Sequence, residues 1–107
     1  MSNSTKLPPV HPGKTLERQF FQPLNLSQEQ LAQGLHIPTY QLQDLVAGKD
    51  KITPEIAYRL SCYFQIAPEV FLNLQQRYDL EIWKDRQETY IKRQVKPHQE
   101  RLSASKH

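Results

Sequence analysis

The stretch SQEQLAQGLHIPTYQLQDLVA, Ser27 to Ala47, decides the fold. Ser27 is a good helix N-cap, and Gln30 three residues on completes a capping box, in which each residue satisfies the other's backbone N–H. Leu31, Ala32 and Leu35 then supply one apolar face. His36 to Pro38 interrupts the pattern, and Leu42, Leu45 and Val46 follow at the i, i+3, i+4 spacing of a second helix that stops at Gly48. Two short helices therefore flank a tight turn.

Working outward, Thr53 followed by Pro54 is a cap with proline at the first helical position, opening a helix that should bury Ile56, Ala57, Leu60, Tyr63 and Phe64. Ile66 to Glu69 restarts a helix with Val70, Phe71, Leu72 and Leu74 inward, and Tyr78 to about Gln94 can continue it as a polar helix carrying Leu80, Ile82, Trp83, Tyr90 and Ile91. Upstream, Lys14 to Gln22 places Leu16, Phe20 and Phe21 on one side of a short helix ended by Pro23. Pro8, Pro9 and Pro12 forbid a helix in residues 1–12, which read as an extended arm. The tail after Pro97 reads as frayed. With no useful β-alternation, the expectation is all-α: an arm at 1–12, a helical domain at 13–78, and a polar C-terminal helix with a flexible tail at 79–107.

A chain of 107 residues allows one modest core. No apolar run approaches the length of a membrane span, and the polar start resembles no signal peptide. The single Cys62 cannot form an internal disulfide, which agrees with a reducing, cytoplasmic setting. The net charge of +3 leans toward a polyanionic partner. Its distribution qualifies that lean, because residues 27–77 hold four basic and five acidic side chains and the basic excess lies toward the two ends.

The spacing in the opening stretch is that of a helix-turn-helix, whose second helix enters the major groove of DNA. Counting Gln28 as the first position, the small residue required where the helices touch is Ala32, at the fifth. Apolar residues are wanted at the fourth, eighth, tenth, fifteenth and eighteenth, and Leu31, Leu35, Ile37, Leu42 and Leu45 fill them. At the ninth, where glycine commonly supplies a left-handed turn, stands His36, a residue type enriched at positive φ. Three further blocks, the HPG at His11, the GKDKITP at Gly48 to Pro54 and the NLQQRYDL at Asn73 to Leu80, resemble the HigA-type antitoxins, a branch of the Xre/Cro-like helix-turn-helix regulators. That resemblance covers His11 to Leu80. It implies a five-helix core, a homodimer, repression of the protein's own operon, and binding of a HigB toxin related to the RelE ribonucleases. The chain departs from many members in having Gln41 and Asp50 where they carry arginine.

If the second helix of the pair enters the groove, Thr39, Tyr40, Gln43 and Asp44 face outward with Gln41 near the rim. Gln43 and Gln41 can pair bidentately with adenine, and Thr39 and Tyr40 can touch a thymine methyl or a phosphate. Asp44 would repel phosphate and accept only from cytosine. Gln28 at a helix start, with Lys49 and Lys51 after the second helix, are the candidate phosphate contacts on double-stranded DNA. For all of these the alternative is an ordinary solvated surface.

Val70, Phe71, Leu74 and Ile82 exceed what so small a core needs and are the candidate homodimer interface. Trp83, Tyr78, Phe71 and Leu72 are assigned to packing and Cys62 to an inert buried thiol. His11, His36, His98 and His107 lack metal-ligand spacing, so no zinc or other cofactor is expected. No nucleophile with an evident base and no glycine-rich phosphate loop is present, so no enzyme is expected. The resemblance implies a basic toxin, for which Glu17, Asp79, Glu81, Asp85 and Glu88 are candidate contacts, with the arm and the tail as further candidates. Two other readings stay open: a stand-alone regulator, and a toxin-sequestering module whose DNA binding is weakened by Gln41, Asp44 and Asp50.

Overall fold

The structure, a computed structural model, describes residues 8–98; the expectations placed on residues 1–7 and 99–107, including most of the arm, the end of the tail and His107, lie outside them. Five α-helices follow one another: α1 Pro12–Leu16, α2 Gln28–Leu35, α3 Thr39–Val46, α4 Pro54–Phe64 and α5 Pro68–Gln94. The all-α expectation holds. Leu16, Phe21, Leu31, Ala32, Leu35, Leu42, Leu45, Val46, Ile52, Ile56, Ala57, Leu60 and Phe71 form one buried cluster.

Four helical segments end in the same way. A residue in the left-handed conformation, Asn25, His36, Gly48 or Gln65, closes the segment at φ between 57° and 84°. The next N–H reaches back to the carbonyl five positions earlier: Leu26 to Phe21, Ile37 to Ala32, Lys49 to Asp44 and Ile66 to Ser61. These are Schellman closures, and Leu26, Ile37 and Ile66 are half-buried against the core as the motif favours. His36 therefore holds the place of the usual turn glycine, as the enrichment of histidine at positive φ suggests.

The N-terminal expectation needs correction. Pro12 does not exclude a helix; it occupies the first position of α1, where its missing N–H costs nothing. Nor do residues 14–22 form one regular helix, because α1 widens into a π-helical turn at Glu17–Phe21 and tightens into a 3₁₀ turn at Gln22–Leu24. The wider turn lets Leu16 and Phe21, five residues apart, both be buried. Pro23, unable to donate, sits in the 3₁₀ turn.

Other placements also differ. Tyr63 is exposed beside Gly34 rather than buried, and Cys62 is exposed, not an inert core thiol. In α5 only Phe71 and Gln75 are buried, while Val70, Leu80, Trp83 and Tyr90 are exposed. The helix outruns the core it packs against, and the described residues extend 54 Å in their longest dimension. Trp83, expected to pack, is 48% exposed on that free portion.

Candidate nucleic-acid interface

The first helix of the pair begins where Ser27 Oγ accepts the Gln30 N–H at 3.0 Å and Gln30 Oε1 accepts the Ser27 N–H at 3.0 Å. Gln28 follows, half-buried. At the other end of α2 the His36 turn and Pro38 deliver α3, whose apolar face of Leu42, Leu45 and Val46 is buried. Its opposite face is polar. Tyr40 is 67% exposed and Gln43 is exposed, while Thr39, Gln41 and Asp44 are half-buried around them. Lys49 and Lys51 are exposed in the loop after α3. The structure thus brings Thr39, Tyr40, Gln41 and Gln43 onto one short helix, with the two lysines just beyond its C-terminal end.

What braces this helix pair comes from residues that carry no binding chemistry. Arg59 of α4 donates from Nη1 to the Leu35 carbonyl at 2.9 Å, taking up a helix-end acceptor at the turn itself, while its Nη2 lies 3.0 Å from Glu55. The Glu55–Arg59 spacing of four residues was the one available signal, and it reads as an ordinary surface pair. Behind α3, Gly13 packs directly on the Leu45 carbonyl, where any Cβ would collide with the oxygen. His11 Nδ1 accepts the Gly13 N–H at 2.9 Å, and the His11 ring meets Tyr78 edge-on at 5.0 Å and lies against Gly48. Gln75, buried in α5, accepts the Ile52 N–H at 2.8 Å and donates to Asp79 at 3.0 Å, which pins the end of the Lys49–Lys51 loop.

The candidate dimer residues divide. Phe71 is fully buried in its own core against Phe20 and Phe64 and is unavailable to a partner, because the aromatic cluster needed it inside. Val70 is 42% exposed, and Leu74 and Ile82 are half-buried. Of the acidic candidates, Glu17 pairs with Lys14 at 3.2 Å, Glu88 with Lys92 at 3.1 Å, and Asp79 holds Gln75. Among the described residues no three His, Cys, Asp or Glu side chains are grouped to hold a metal ion, and no helix is long and apolar enough to cross a membrane.

Two helices of eight residues, a turn closed by a left-handed residue and an outward polar face on the second helix define a helix-turn-helix DNA-binding module. A family model described as "Helix-turn-helix" matches residues 18–71, and the chain belongs to that family, in its Xre-like branch. Virulence-associated protein I of Dichelobacter nodosus is 32% identical over 76% of this chain and 75% of its own length. An addiction module antidote protein of a HigA family from Coxiella burnetii superposes with a TM-score of 0.78 at 34% identity, covering 86% of this chain and all of its own. The antitoxin HigA of Pseudomonas aeruginosa, solved with the higBA promoter, superposes at 0.76 with 28% identity over 83% of this chain and 97% of its own.

Proposed function

We propose that this protein is the antitoxin and transcriptional repressor of a toxin–antitoxin operon, reading its own operator through α3 and neutralising a HigB/RelE-like ribonuclease. The observation that carries the DNA reading is the polar face of α3 held outward by the His36 turn, in a chain whose structural neighbours include a HigA antitoxin bound to promoter DNA. In this reading Tyr40 and Gln43 meet base edges and Thr39 and Gln41 work from the rim. Gln28, Lys49 and Lys51 contact phosphates on either side. With no net basic charge in residues 27–77, affinity rests on geometry and these few cations more than on a general field. A homodimer supplies the two-fold symmetry that a palindromic operator requires.

The toxin half of the reading rests on the family. Co-expression with the adjacent reading frame tests it: the neighbour should be toxic alone, harmless with this chain, and co-purify with it. A gel shift on the promoter of the same operon tests the DNA half independently. Toxicity that persists in co-expression, with a specific gel shift, would leave a stand-alone regulator. Neutralisation without a shift would leave a sequestering module.

A further inference from the structure

Two side chains of α4, one turn apart, grip the end of α2. Tyr63 lays its ring on Gly34, so closely that a Cβ there would collide with it. Four residues earlier, Arg59 donates from Nη1 to the Leu35 carbonyl at 2.9 Å and, at 3.5 Å, to the carbonyl of His36, the left-handed residue of the turn. Glu55 holds the guanidinium in that attitude, its Oε2 lying 3.1 Å from Nε and 3.0 Å from Nη2. Because a guanidinium is rigid and planar, seating one edge on the carboxylate aims the remaining nitrogen at the carbonyls.

The grip bears on α3 through the turn. Gly13 against the Leu45 carbonyl fixes the C-terminal end of α3. At the other end Leu42 is buried, but Pro38 at the N-cap makes no side-chain hydrogen bond, so the direction of the first turn follows from His36. Thr39, Tyr40 and Gln43 lie toward that end. Thr39 is about 9 Å from Leu45 along the axis, so a tilt of roughly 6° about the Leu45 end moves it ~1 Å, enough to break a hydrogen bond to a base. We infer that Arg59, oriented by Glu55 and backed by Tyr63 on Gly34, is a positioning residue for operator recognition, aiming α3 through the turn rather than contacting the duplex. This rests on the operator reading proposed above and names what gives that reading its selectivity.

Substitutions that separate geometry from charge test this in the full-length protein. Fluorescence anisotropy is read on a duplex carrying the promoter of its own operon and on a scrambled duplex of equal length, with circular dichroism as the check on folding. Arg59→Lys keeps the cation but cannot fork between carboxylate and carbonyl. Its promoter affinity should fall on the order of tenfold, near the loss of one bidentate base contact, while the scrambled duplex changes by less than about twofold. Glu55→Gln removes a negative charge, so a direct phosphate contact by Arg59 predicts tighter binding to both duplexes. Positioning predicts weaker binding to the promoter and equal or tighter binding to the scrambled duplex. Gly34→Ala displaces Tyr63 and leaves the ion pair alone; it should lower the promoter-to-scrambled ratio even though alanine favours the helix. A merely structural role would lower stability and leave that ratio unchanged in the folded protein. Wild-type ratios in Arg59→Lys and Glu55→Gln, or tighter binding of Glu55→Gln to both duplexes, overturn the inference while the operator reading stands. A wild-type chain that does not distinguish the two duplexes overturns the operator reading itself.

Discussion

Gln75 is the buried polar side chain on which the junction of α5 with the loop after α3 depends, and replacing it with leucine isolates that role. Leucine is close to glutamine in volume, so Gln75→Leu opens little cavity and the hydrogen-bond term dominates. Two bonds go: the 2.8 Å bond from the Ile52 N–H and the 3.0 Å bond to Asp79. Asp79 is exposed and can turn to water, so its loss costs little. The Ile52 N–H cannot, since that bond is buried, and an unsatisfied buried donor costs about 1–3 kcal/mol. For a domain of this size that lowers the melting temperature by roughly 4–8 °C per kcal/mol. Urea denaturation should show the midpoint falling with an unchanged slope. Gln75→Glu is the control, because it keeps the acceptor for Ile52 but turns the donor facing Asp79 into a second carboxylate. Its deficit should shrink with added salt, whereas that of the leucine variant should not. A Gln75→Leu protein within about 0.5 kcal/mol of wild type would refute the reasoning, because a surface substitution would then have done the same.

Arg59→Ala should cost about 1–2 kcal/mol, nearly all from the Leu35 carbonyl left without its charged donor, and Arg59→Lys should recover only part because an ammonium cannot fork between that carbonyl and Glu55. Thermal melts of the two variants check this, and an alanine variant as stable as wild type removes the bracing role. His36→Gly should stabilise by on the order of 0.5–1 kcal/mol, since glycine takes φ near 58° without the Cβ penalty; a lower melting temperature would show that the imidazole contributes more than its backbone costs. At the operator, Gln43→Ala should weaken the specific site by about 1–3 kcal/mol and leave random DNA nearly untouched, while Lys49→Ala should weaken both and flatten the salt dependence. Fluorescence anisotropy on the two duplexes separates the cases, and equal losses for Gln43→Ala would take it out of the reading set.

The helix-turn-helix was legible because its signals are local. A capping box, a 3.6-residue apolar period and a turn residue tolerant of positive φ are each properties of a few neighbouring positions, and Ser27 to Ala47 shows all three. Thr53 with Pro54 was legible for the same reason. The segment from Pro12 to Leu24 was not, because its π and 3₁₀ turns are set by which of Leu16, Phe20 and Phe21 the distant Phe64 and Phe71 accept. Burial along α4 and α5 failed similarly. Periodicity marks an apolar side but not how far the packed surface reaches, so Tyr63 and Val70 seemed inward and are exposed. Arg59 and Gln75 act on backbone groups 24 and 23 residues away, a relation that no local pattern encodes.

The blocks that carry the family resemblance have a structural explanation, and it bears on where function resides. His11, Gly13, Gly48 and Tyr78 meet at one point, with Gly13 on the Leu45 carbonyl and Gln75 holding Ile52 close by. The HPG, GKDKITP and NLQQRYDL blocks are therefore three strands of one clamp that fixes α1, the end of α3 and α5 relative to one another. Within them His11, Gly13, Gly48, Ile52, Gln75 and Tyr78 are engaged in these contacts, while Lys49 and Lys51 remain exposed. A relative can keep all three blocks, and so the same fold, while changing what it reads and binds. In this chain the freedom to differ lies on the outward face of α3 and on the open length of α5 beyond Asp79. The clamp sets the fold, and under the proposed function operator and partner choice would fall to those two surfaces.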